Sequence, residues 1–185
     1  MNQTLLIALI VVAVVVAALL VLGAMKRRSR DLKQHFGPEY DRLLREKGDA
    51  RKAEAELAAR EKRVKKLELR DLPAAERQRF SDAWTALQAR FVDDPKGAVS
   101  EANRLVKEVM TARGYPVADF ETRAADISVE HPYLVTNYRA AHDIATRSER
   151  NAATTEDLRK AVVHYRSLFD ELLETREVET ARRAS

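Results

Sequence analysis

The sequence predicts an all-α protein: an N-terminal transmembrane helix, a charged helical stalk, then a bundle of about four to five helices. Three observations carry that expectation. Residues 5–22 are an unbroken apolar run, LLIALIVVAVVVAALLVL. Beyond it, apolar residues recur at helical spacing, and no stretch sustains the period-two alternation of a strand. Finally, the 185 residues contain only five Gly and five Pro, most of them where a helix would start or stop.

Gly23, Ala24 and Met25 extend the apolar run to residues 5–25. At 1.5 Å per residue this covers about 31 Å, which matches a hydrocarbon core of about 30 Å. A cleaved signal peptide is disfavoured on three counts. No basic side chain precedes the run, the run exceeds an ordinary signal core, and it ends in Lys26-Arg27-Arg28 rather than at a small-x-small site. Residues 1–4 are then a short tail and 26–35 a basic juxtamembrane segment.

Charge supports the same division. The chain carries 33 Lys and Arg against 29 Asp and Glu, a net charge of +4, with a pI near 9.4. Four of those basic residues, Lys26, Arg27, Arg28 and Arg30, lie within the first 30 residues, where there is no acid. The other 155 residues are therefore balanced at 29 of each sign. The surplus is one cluster beside the apolar run, which argues for topology and against nucleic acid as a partner. With Lys33 it forms the candidate site for orientation and anionic-lipid contact. Under the positive-inside rule these residues stay cytoplasmic and the N-terminus crosses. Each cation near an anionic leaflet also contributes about 1 kcal/mol of attraction.

Residues 36–72 read as the stalk. Phe36-Gly37-Pro38 breaks the chain, Pro38 suits a first helical position, and Gly48 closes a short helix. Asp49 can cap a helix reaching about Arg70, rich in Ala, Glu, Lys and Arg, with i,i+4 pairs such as Glu56–Arg60 and Glu61–Lys65. A weak heptad runs through Ala50, Ala53, Leu57, Arg60, Val64 and Leu67. It admits two readings, a poor coiled-coil dimer seam or a helix that is solvated or packs on its own chain.

Residues 73–176 read as the bundle, punctuated by Pro73, Pro95, Pro116 and Pro132. Its stripes are Phe80, Trp84, Leu87 and Phe91; Val99, Ala102, Val106, Val109 and Met110; Val135, Tyr138, His142 and Ala145; and, clearest, Leu158, Ala161, Val162, Tyr165, Leu168, Phe169, Leu172 and Leu173. Thr154-x-x-Asp157 opens the last as a capping box. A shorter helix is expected around residues 119–126, and residues 177–185 form a polar tail.

The sequence offers little for catalysis. With no cysteine there is neither a disulfide nor a thiolate metal site. His35, His131, His142 and His164 show no i,i+3 or i,i+4 pairing and no metalloprotease spacing. A metal or acid/base site would need His142 and His164 to meet in space. Asp93-Asp94-Pro95 fits helix capping and Arg113-Gly114-Tyr115-Pro116 a helix stop. Ser128 lacks a nucleophile elbow. The basic run Lys62, Arg63, Lys65 and Lys66 is interleaved with Glu61 and Glu68 and has no nearby aromatics, so it reads as a solvated face. No catalytic residue, cofactor or metal is expected.

The stretches FVDDPKGAVSEANRLVKEVMTARGYP, DFETRAADISVEHPYLVTNYRAAHDIA and TTEDLRKAVVHYRSLFDELL resemble a family of uncharacterised bacterial single-pass membrane proteins with a helical cytosolic region. The resemblance covers about residues 36–173. It implies a bacterial cytoplasmic (inner) membrane and brings no assigned activity.

The expected function is non-enzymatic: a membrane-anchored helical module that binds a protein partner or its own copy, with Tyr115 and Phe120 as the first candidates for exposed contact residues. Three alternatives remain. The basic stalk could bind anionic lipid as a membrane-surface or envelope accessory. His142 and His164 could form a metal or catalytic site. The leader could be cleaved to leave a periplasmic domain.

Overall fold

The computed structural model describes residues 3–174, leaving aside the side chains of Thr4, Leu5, Leu6 and Ala8. The expected tail at 177–185 and the last residues of the expected bundle lie outside the described residues. Eight helices run in order: α1 Gln3–Phe36, α2 Pro38–Lys47, α3 Ala50–Val64, α4 Ala74–Arg90, α5 Pro95–Ala112, α6 Phe120–Glu130, α7 Leu134–Glu149 and α8 Thr155–Leu173. Among the described residues there is no strand. The chain divides into two compact units, Met1–Leu57 and Ala58–Ser185.

In the first unit the apolar run and the basic segment form one continuous helix, α1, which breaks only at Gly37 (φ 45°). Pro38 then occupies the first turn of α2, and Gly48 ends it in the left-handed conformation (φ 65°), its N–H donating to the Leu44 carbonyl at 2.9 Å. Asp49 accepts from the Lys52 N–H at 3.0 Å and starts α3 as the sequence suggests. Leu32, Phe36, Tyr40, Leu43, Ala53 and Leu57 are buried.

The expected long stalk helix departs from the structure in two ways. First, α3 stops at Val64, with Leu67 N–H bonding back to the Val64 carbonyl in a tightened last turn. The chain then runs extended, the Arg70 N–H meeting the Arg113 carbonyl at 2.9 Å, and Leu72 joins the core. Burial of Leu72 outweighs a few more residues of helix propensity. Second, the boundary between the compact units falls within α3, so residues 36–72 are not a body of their own. Four heptad positions, Ala53, Leu57, Arg60 and Val64, are buried within the chain, which selects the self-packed reading of that seam.

The second unit holds the bundle. Asp94 caps α5 through the Gly97 N–H (2.8 Å) and Asp119 caps α6 through the Thr122 N–H (3.0 Å). Thr154 and Asp157 complete the capping box of α8. α8 packs on both α5 and α7, α4 on α5, and α6 on α7. The predicted stripes meet in one core, where Trp84 lies against Phe169 with centroids 4.4 Å apart.

Candidate functional site

Lys26, Arg27, Arg28, Arg30 and Lys33 all lie on α1 and are exposed. At about 100° per residue, Lys26, Arg30 and Lys33 share one face, while Ser29, Leu32 and Phe36 share another. Leu32 and Phe36 are buried and Ser29 is partly so, while all five cations stay exposed. From Leu9 onward α1 is long and apolar enough to cross a membrane, its apolar window having none of its surface buried in the protein. A signal sequence meets the same criteria of length and composition.

One carboxylate gathers the first unit below these cations. Glu54 Oε1 accepts from Ser29 Oγ at 2.6 Å and from the Tyr40 hydroxyl at 3.0 Å, so side chains of α1, α2 and α3 converge on it. Burial, then the Glu54 hydrogen bond, pushes the Tyr40 phenol up. Buried Glu39 is gripped by both Nε (2.9 Å) and Nη2 (2.8 Å) of Arg42.

Several expected features of the second unit stand differently. Tyr115 is not an exposed contact: it is buried, and its hydroxyl donates to Glu130 Oε2 at 3.1 Å. Phe120 is half-buried and stacks on His142, with centroids 3.6 Å apart. Their sequence neighbourhood is a turn, but helical packing draws both rings inward. The large apolar side chains exposed here are Val92, Val117, Tyr133 and Val163. Within the basic run, Lys62, Lys65 and Lys66 are exposed, whereas Arg63 pairs with Asp126, only 1% exposed, at 2.6 Å. Arg60, one turn earlier and 4% exposed, donates to Ser128 Oγ at 3.2 Å. Arg113, also buried, donates to the Leu172 carbonyl at 2.9 Å. The sequence hinted at Arg60 by placing a cation in an apolar heptad position. For Arg113 and Asp126 no spacing signal exists, because their partners are 59 and 63 residues away.

The histidines divide among separate environments. His35 lies edge-on to Phe36, and His131 is buried with Nδ1 3.5 Å from Glu171 Oε1. His142 faces Phe120, while His164 is half-buried on α8. Among the described residues, no group of three or more His, Asp or Glu is placed to hold a metal ion.

A groove of about 300 Å³ lies between α5 and the end of α7. Lys96, Val99, Ser100 and Asn103 line one wall, and Ala145, Ser148 and Glu149 line the other. Lys96 Nζ donates to Asn151 Oδ1 at 2.6 Å, tying the two walls at one end. Asn103 Oδ1 is buried with no hydrogen-bond partner, and so is Nδ1 of His142, one turn before Ala145 on α7. Each such orphan costs about 1–3 kcal/mol. Burial lowers the Lys107 ammonium, and Arg123 lowers it further. Burial also lowers His142, with Arg123 and Lys107 adding to the effect.

Set against protein-family models, curated proteins and solved structures, the chain matches none.

Proposed function

We propose that this is a single-pass protein of the bacterial cytoplasmic membrane, with its N-terminus outside and residues 26–185 in the cytoplasm. Its helical bundle serves there as a non-enzymatic protein-interaction or scaffold module. The observation that carries the reading is α1, an exposed apolar helix followed without a break by exposed Lys26, Arg27, Arg28 and Arg30. Such a helix is unfavourable in water, and this arrangement of cations is retained on the cytoplasmic side. The bundle contributes exposed Val92, Val117, Tyr133 and Val163 as apolar contact points. Affinity capture by the full chain from intact, crosslinked membranes tests the module: recovery of a defined partner or of a second copy is expected, and nothing above background removes this reading.

A second reading is favoured by the common face of Lys26, Arg30 and Lys33. The juxtamembrane helix contacts anionic headgroups and seats the protein against the leaflet. It predicts salt-sensitive binding to anionic vesicles by the chain lacking its apolar run. Equal binding to neutral vesicles would overturn it.

A further inference from the structure

The first unit carries its unpaired cations in two sets. One is the α1 set between Lys26 and Lys33. The other is Arg45, in the last turn of α2, with Arg51 and Lys52, in the first turn of α3. All three are exposed, and none makes an ion pair among the described residues. The acids beside them are already engaged. Glu46 pairs with Arg42 at 2.7 Å and with Lys47 at 3.4 Å, and Asp49 accepts the Lys52 N–H at 3.0 Å. Residues 45–52 hold four basic groups against two acidic ones, a local +2. One carboxylate sets the height of this turn. Ser29 stands four residues, about 6 Å, past Met25 at the end of the apolar run, within the roughly 5–7 Å headgroup zone of a leaflet. Glu54 Oε1 accepts from Ser29 Oγ at 2.6 Å, so α3 passes at that level, and the Tyr40 hydroxyl at 3.0 Å ties α2 to the same oxygen. Arg51 and Lys52 precede Glu54 by less than one turn of helix.

We infer that the α2–α3 turn is a second headgroup contact: Arg45, Arg51 and Lys52 bind the phosphates of anionic lipids in the leaflet where α1 leaves the membrane, and Glu54 is the positioning residue that holds them there. This rests on the juxtamembrane lipid contact proposed above and adds to it a site on two other helices. A lipid phosphate is favoured over a phosphate in free solution because the span keeps the turn beside the leaflet, where headgroups are at high effective concentration. Arg and Lys suit the task, since their apolar stems lie along the helix while the charged ends reach outward. Each cation near an anionic surface strengthens attachment about fivefold.

The test reconstitutes the full chain in phosphatidylcholine bilayers and measures, by electron paramagnetic resonance of spin-labelled lipids, its preference for phosphatidylglycerol over phosphatidylcholine. A preference of about threefold or more is expected at low salt, falling toward unity at about 0.5 M salt. Replacing Arg45, Arg51 and Lys52 together by Gln should lower it at least about twofold. Replacing Lys26, Arg30 and Lys33 by Gln reads the α1 contact separately, so failure of either contact shows in its own variant. Glu54→Leu keeps every cation and removes a negative charge, which alone would raise the preference. It should instead lower it as far as the Arg45, Arg51 and Lys52 variant does. Glu54→Gln, whose amide oxygen still accepts from Ser29 and Tyr40, should keep it. Four results would overturn the inference: wild-type preference in the Arg45, Arg51 and Lys52 variant; Glu54→Leu at or above wild type; Glu54→Gln no better than Glu54→Leu; or inorganic phosphate at about 10 mM erasing the preference where chloride of equal ionic strength does not, which would assign the cations to a soluble phosphate.

Discussion

Gly114 shows how one residue fixes a chain reversal. Its φ is +99°, and a Cβ there would lie 2.6 Å from the backbone carbonyl oxygen of Glu68, which cannot give way as a side chain could. Gly114→Ala should therefore destabilise the second unit by about 2–4 kcal/mol, read as a lowered denaturation midpoint. The buried carboxylate of Asp126 matters comparably. Asp126→Ala removes the partner of Arg63, leaves Arg63 without its ion pair, and should cost about 2–3 kcal/mol. Arg63 is 43% exposed and can be resolvated, which holds the loss below that of a fully buried pair. His142 makes stability depend on pH. Burial lowers it first, then Arg123 and Lys107, against smaller opposing effects of Glu121 and Glu149. With the folded value below the unfolded value of 6.5, the unfolded chain takes up a proton first as pH falls. The thermal midpoint should thus decline as pH drops below about 6.5, and His142→Phe, which keeps the stacked ring, should flatten that decline. An equal pH slope in wild type and variant would show that the acid loss arises elsewhere.

Helix punctuation was the most legible layer of this fold, because caps are local. Thr154 and Asp157 satisfy each other's backbone at 3.0–3.1 Å, and Thr154→Ala should cost the α8 N-terminus about 1 kcal/mol, seen as an earlier chemical unfolding midpoint. Pro38, Gly48, Asp49 and Asp94 also sit where the sequence places them. The apolar stripes of α4, α5, α7 and α8 were readable for a related reason: their period needs no knowledge of a partner. What the period leaves open is who covers the stripe. The same seam, Ala53, Leu57, Arg60 and Val64, would serve a second chain or this one, and only the tertiary structure shows it buried internally. The end of α3 was illegible because Glu68, Leu69 and Arg70 have adequate helix propensity. They are drawn out of the helix by Leu72 entering the core and by a backbone bond to Arg113, more than 40 residues away in sequence. The groove was hidden likewise, since its walls, Lys96 to Asn103 on α5 and Ala145 to Glu149 on α7, belong to two helices whose register no local pattern gives.

At the scale of the whole molecule, the chain is close to neutral except where α1 leaves its apolar stretch. Residues 31–185 carry 29 charges of each sign, so no global field orients the protein and the decision rests on the four cations at 26, 27, 28 and 30, with Lys33 just beyond. Lys26 to Lys33 occupies about 10 Å along the helix axis. Translocating that cluster is opposed by its charge and by the membrane potential, about 2.3 kcal/mol per charge at 100 mV. The proposed orientation therefore has a reversible determinant. Replacing Lys26, Arg27, Arg28 and Arg30 by Gln and placing four Lys between Met1 and Leu5 should invert the protein. A C-terminal alkaline-phosphatase fusion, inactive on the native chain, should become active, and a C-terminal fluorescent-protein fusion should lose its signal. If the native fusion is already active outside, the cations act on lipid or partner rather than on topology. If the swapped chain keeps its native orientation, the folded units, rather than the charge cluster, hold the chain in place.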